Sequence, residues 1–148
     1  MVLQPSSGLS STQSGRLPQG HATILLVEDE PELRSLLDEV LTAGGYGVLI
    51  AVGPVEALRV ARGMAEPIHL LLTDVVMPDM NGLALAERLL ADRPEMKVLY
   101  MTGYSEDVVN AHGTPNEGGV IQKPFTGRDI VARVGEILEL QGRGPSGP

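Results

Sequence analysis

Five short apolar runs alternate with helical patterns along this chain, and that alternation restricts the fold more than any other feature. The runs are Thr23–Val27, Val48–Val52, Ile68–Leu72, Val98–Met101 and Val120–Ile121. The first, third and fourth barely alternate in polarity, as expected of strands covered by helices on both faces of a parallel sheet. Between the runs, Leu33, Leu36, Leu37, Val40 and Leu41 fall at i, i+3, i+4, i+7 and i+8, one face of a helix that Gly44-Gly45 then stops. Ile130, Val134, Ile137 and Leu138 make a similar stripe. Pro54–Arg62 and Gly82–Ala91 are weaker helical patterns, with Pro54 marking a start and Pro94 a stop. Ser105 is placed to cap a short helix over Val108 and its neighbours. Five strands alternating with five helices, (βα)5, predict a doubly wound α/β domain: a five-stranded parallel sheet with right-handed crossovers.

A length of 148 residues suits one domain plus tails, and 43% hydrophobic residues are enough for one core. Residues 1–20, rich in Ser, Gly, Gln and Pro, read as a disordered leader or linker, and 141–148 as a tail of the same kind. The ordered domain is expected over 21–140. A net charge of −8 without any Lys/Arg cluster argues against direct nucleic-acid binding and against an anionic membrane surface. The absence of cysteine excludes disulfides and thiolate metal sites. No apolar run approaches the roughly 20 residues of a membrane span, and the first residues lack the basic start and apolar stretch of a signal peptide. A soluble, cytoplasmic protein is expected.

In an open α/β sheet, ligands bind beyond the carboxyl ends of the strands. The first strand delivers Glu28 and Asp29 there, the third Asp74, the fourth Thr102 and the fifth Lys123. Carboxylates about 5 Å apart repel by about 3 kcal/mol per pair at an effective dielectric near 20. A divalent cation relieves that repulsion, and hard oxygen ligands favour Mg²⁺ or Mn²⁺. The simpler reading is that Glu28-Asp29-Glu30, set before Pro31, only caps a helix. Singly, each of these residues suits a turn, a cap or solvent; their convergence at one sheet edge favours the metal. A flavin or dinucleotide site would place Gly, Ser or Thr after the first strand to cradle phosphate, and neither GxGxxG nor GxxxxGK[ST] occurs.

LLVEDEP, LLLTDVVMPDMNG, VLYMTGY and QKPF, in that order and spacing, resemble the receiver domain of bacterial two-component response regulators. The similarity covers roughly Ala22 to Leu140 and implies the flavodoxin-like strand order 2-1-3-4-5. It implies a phosphorylation switch in which Asp74 accepts a phosphoryl group from a phosphohistidine on a histidine kinase or histidine phosphotransfer protein. By the same resemblance, Asp29 ligates Mg²⁺ directly, Glu28 often acts through water, and the backbone carbonyl of Val76 is the third protein ligand. Thr102 moves to bond the phosphoryl oxygen, and Lys123 pairs with the same group. Pro78 and Gly82 match the loop and turn before the third helix, and Lys123-Pro124 is a candidate cis peptide. The output is a changed surface read by a downstream protein, usually at the fourth helix, fifth strand and fifth helix. The module is therefore a switch with self-catalysed phosphorylation and dephosphorylation rather than an enzyme in the turnover sense.

The chain departs from the pattern at Val120, where the family usually has an aromatic or histidine whose ring swings inward on activation. SEDVVNAHGTPNEGG is poor in apolar residues and broken by Gly113 and Pro115, so a brief or mobile helix that switches by order and disorder is expected there. Val76 and Tyr104 occupy positions that tune phosphate lifetime in the family, and an apolar Val76 with a bulky Tyr104 suggests slow hydrolysis. His21, His69 and His112 fall in no phosphotransfer or metal motif and read as structural or solvated. VLYMTGYSED with QKPFT looks most like receivers of hybrid sensor histidine kinases; a single-domain regulator is the other source considered. One competing reading is a receiver-like binding module that works without phosphorylation, which would not need all five polar residues. Another is a haloacid-dehalogenase-type phosphatase, whose second acid would fall at Val76.

Overall fold

The structure is a computed structural model that describes residues 22–103 and 119–143. In chain order the described elements are β1 (Thr23–Val27), α1 (Pro31–Ala43), β2 (Gly47–Ala51), α2 (Pro54–Arg62), β3 (Leu70–Asp74), α3 (Gly82–Asp92), β4 (Lys97–Thr102), β5 (Val120–Gln122) and α4 (Gly127–Arg143). All five strands are parallel, in the order β2-β1-β3-β4-β5. The doubly wound reading and its strand order therefore hold. The short helix expected after Ser105, together with Tyr104, His21 and His112, lies outside the described residues.

The sheet is a partition between two apolar layers. Alternate residues of each strand point to opposite faces. Leu25, Leu71, Val98 and Tyr100 pack with Ala57, Ala61, Leu85 and Leu89 of α2 and α3. Ile24, Leu26, Leu70, Leu72, Leu99 and Met101 pack with Leu37 and Leu41 of α1 and Ile130, Val134 and Ile137 of α4. Ile24 through Val27 and Leu70 through Leu72 are all fully buried. This is why their sequences show no polar alternation.

The helix signals act where the sequence puts them. Pro31 and Pro54 open α1 and α2 at positions that need no backbone donor. Asn81 caps α3 by accepting from Ala84 N at 2.8 Å. α1 ends at Ala43; the following turn needs Gly45 at φ 96°, and Tyr46 N donates back to Leu41 O at 3.2 Å. His69 is structural: its Nδ1 accepts from Thr23 N at 2.9 Å, tying the start of β1 to β3.

Strand limits move slightly from the apolar runs. β3 begins at Leu70 rather than Ile68 and continues through Thr73 and Asp74, which pair in register with Tyr100 and Met101 of β4. Backbone pairing is indifferent to side-chain polarity, so the strand outlasts its apolar run. β2 stops at Ala51, and the Val52 amide donates instead to the Glu56 side chain at 2.7 Å.

Candidate functional site

Each polar residue that the strands deliver is fixed by backbone pairing one or two residues away. Glu28 follows β1, and its amide donates to Ala51 O of β2 at 3.2 Å. Asp74 is the last residue of β3, and the next amide, Val75 N, donates to Met101 O at 3.0 Å. Thr102 closes β4 and accepts the Lys123 amide at 2.7 Å through its own carbonyl, which sets Lys123 beside it. The Lys123–Pro124 peptide bond is cis.

These elements bring Glu28, Asp29, Asp74, Val76, Thr102 and Lys123 around one open cleft of about 140 Å³ at the carboxyl edge of the sheet. Carboxylate oxygens of Glu28, Asp29 and Asp74 lie within 4.8 Å of one another. Lys123 Nζ reaches Asp74 Oδ1 at 2.9 Å. Glu28, Asp74 and Thr102 are buried, whereas Asp29 is exposed and the Val76 side chain faces solvent.

Glu28 is the most perturbed group. Burial pushes its carboxyl up to about 8 from an ordinary 4.5, and the adjoining Asp74 carboxylate pushes in the same direction; the Glu30 amide and the Lys123 charge oppose them. Its Oε2 accepts from Glu30 N at 3.1 Å, but its buried Oε1 has no hydrogen-bond partner among the described residues. A buried carboxylate oxygen without a donor is costly. An orphaned oxygen facing two further carboxylates, all of them hard donors, fits a small divalent cation. The cluster can hold a metal. The capping alternative is also realised in part, because Glu28 satisfies the Glu30 amide at the start of α1 while Glu30 itself makes no side-chain cap.

The raised Glu28 pKa has a testable consequence. Between pH about 4.5 and about 8 the folded, metal-free protein holds a proton that the unfolded chain has released. Its stability should therefore fall as pH rises through that window. Urea midpoints measured across it check this, and Glu28→Gln should flatten the slope.

Two residues support the site from behind. Arg34 Nη1, on the first turns of α1, donates to the Glu28 carbonyl at 3.0 Å and so holds the acidic turn from behind. Gly82 opens α3 directly behind Asp74; its amide donates to Val75 O at 2.7 Å, and a Cβ there would collide with the Asp74 carbonyl oxygen. The resemblance marks position 82 as a turn, but the contact behind it depends on the folded path of β3. Glu30, Met101 and Gly103 complete the cleft wall.

Comparison with known proteins agrees with this geometry. Residues 24–135 match the family model of the response regulator receiver domain. The response regulator receiver protein CpdR of Brucella abortus (strain 2308) is 36% identical over 116 residues, covering 78% of this chain and 95% of CpdR. The sensor kinase CckA of the same organism is 36% identical over 124 residues, covering 82% of this chain but only 13% of the kinase. A CheY-like receiver domain structure from Methanospirillum hungatei JF-1 has a TM-score of 0.73 at 31% identity, covering 82% of this chain and 97% of that one. A five-stranded sheet in this order, an acid cluster at its carboxyl edge and a family match over most of the chain lead to one assignment: the chain belongs to the response regulator receiver domains, the phosphoryl-accepting switches of two-component signalling.

Proposed function

We propose that Asp74 is the phosphoacceptor of this receiver. The observation that carries the reading is the 2.9 Å pair between Lys123 Nζ and Asp74 Oδ1, set against the carboxylates of Glu28 and Asp29. Receiver domains work with histidine kinases or phosphotransfer proteins, and the donor here is a phosphohistidine on such a partner. An Asp74 carboxylate oxygen forms the new P–O bond as the donor's N–P bond breaks; the imidazole keeps the electron pair and takes a proton. Mg²⁺ (or Mn²⁺) held by Glu28, Asp29, Asp74 and the Val76 carbonyl would offset charge on the phosphoryl oxygens. Lys123 does the same from the opposite side, and Thr102 supplies a hydroxyl to a phosphoryl oxygen. Water later removes the phosphate, and the apolar Val76 at the cleft edge makes that step slow. The output is a surface change that a downstream protein reads, with Val120, buried in β5, in place of a rotating ring.

Intact mass after incubation with Mg²⁺ and acetyl phosphate tests the reading. The expected result is one added phosphoryl group, mapped to Asp74 by fragmentation and abolished by EDTA. No addition from acetyl phosphate or from a phosphorylated kinase core would favour a binding module that keeps the site without the switch.

Lys123→Ala should separate charge stabilisation from metal binding. Phosphoryl uptake is expected to slow by about 10²-fold, the usual effect of removing one charge-stabilising group. Mg²⁺ binding, followed by calorimetry, should persist, because Lys123 contributes no ligand to the cation.

A further inference from the structure

At the end of the sheet opposite the acidic cleft, a groove of about 650 Å³ runs between the last turns of α2 and α3. Leu58, Ala61, Met64 and Leu89 line it, and Arg62 and Arg88 border it with exposed side chains. A third arginine, Arg93, is fully engaged. Its Nη1 donates to Glu66 O at 3.0 Å, and its Nη2 donates to Ala61 O at 2.9 Å and Met64 O at 2.6 Å. Arg93 thereby neutralises the carbonyl end of α2 and braces the loop that forms one groove wall. The side chains of Arg62 and Arg88 make no hydrogen bond or ion pair among the described residues, and Asp92, which shares the lining, pairs with neither. Two unpaired guanidiniums beside an apolar floor stand out in a chain with 11 basic against 19 acidic side chains.

We propose that this groove docks an acidic amphipathic segment of a partner protein. A large aliphatic or aromatic side chain would sit against the partly buried Leu58 and Met64, with carboxylates reaching Arg62 and Arg88. The arrangement favours a peptide over a small molecule. Small-molecule sites converge buried polar groups on an enclosed ligand. Here the free charged groups are at the exposed border, and Leu58, Ala61, Met64 and Leu89 lie between them. Polar-rim, apolar-centre organisation is that of a protein interface. The groove is also remote from Asp74, since the parallel crossovers put the carboxyl ends of α2 and α3 near the amino ends of the strands. Docking there leaves the phosphorylation cleft accessible.

The test is panning of a random dodecapeptide phage library against the full chain, followed by titration of the selected peptides. Selected peptides should carry two or more acids next to a Leu, Phe or Trp, and should shift the backbone amide NMR signals of Ala61–Ala65 and Arg88–Asp92. R62E/R88E should weaken them by about tenfold or more, as expected for reversing charges at an interface. A65W, which fills the groove without changing charge, should weaken them as well. Both variants alter exposed side chains and should leave the circular dichroism unchanged. Selection of peptides without acids, binding that survives either variant, or shifts confined to other surfaces would each overturn the proposal. Citrate reproducing the same shifts, with no peptide selected, would overturn it in favour of a small-anion site.

Discussion

Asp74→Asn should abolish phosphoryl uptake completely while leaving the fold intact. The amide has the size of the carboxylate and can still accept from Lys123, so the 2.9 Å contact has a replacement. It cannot act as the nucleophile. Intact mass with Mg²⁺ and acetyl phosphate should show no addition. A second effect should accompany it. Asp74 is responsible for two of the influences that raise the Glu28 pKa, a direct side-chain contact and its charge. Removing that charge should bring the Glu28 carboxyl back toward 4.5 and narrow the pH window over which metal-free stability declines. Full phosphorylation of the variant at another residue would refute the assignment of Asp74.

Gly82→Ala should be among the most damaging single-methyl additions in the domain. The new Cβ would collide with the Asp74 carbonyl oxygen and lie 3.0 Å from its carbonyl carbon and 3.2 Å from Thr73 Cγ2. Two of these are main-chain atoms of a central strand with partners on both sides, and they have little room to yield. The alternative is displacement of α3, which would strain the Gly82 N to Val75 O bond of 2.7 Å. Overpacking of this kind costs about 3 kcal/mol at the upper end of its usual range. Urea denaturation measures the loss. Phosphoryl uptake should slow in the molecules that remain folded, because the strand end that aims Asp74 has moved. A loss below about 0.5 kcal/mol, the range of neutral surface changes, would contradict the close approach.

The fold was legible because its strands are buried on both faces. Ile24–Val27 and Leu70–Leu72 have no polar alternation to confuse with an amphipathic strand, and Leu33, Leu37, Val40 and Leu41 of α1 pack on their layer, while Leu36 of the same stripe is exposed. The helix Pro54–Arg62 appears with the limits its proline and composition suggest. Strand ends were harder to read. Thr73 and Asp74 are polar yet paired, because a ladder depends on main-chain atoms, and Ile68 is buried without belonging to a strand. The acid cluster was legible from Glu28, Asp29 and Asp74 falling at one sheet edge. The division of labour within it was not. That Glu28 is buried with an orphaned oxygen while its neighbour Asp29 is exposed depends on how the chain turns after β1. Arg34 and Arg93 act on carbonyls 6 to 32 residues away in sequence, and no local pattern distinguishes them from solvated arginines.

The two apolar layers share no side chain, since every strand residue commits to one face of the sheet or the other. A volume change beneath α1 and α4 reaches the α2 and α3 side only by bending five paired backbones. Contacts that do not touch combine nearly independently. The domain is thus divisible for an engineer: the layer under α1 and α4 can be repacked as one module, and a surface bordered by α2 and α3 as another. The shared constraint is the line of strand ends that holds Glu28, Asp74 and Thr102.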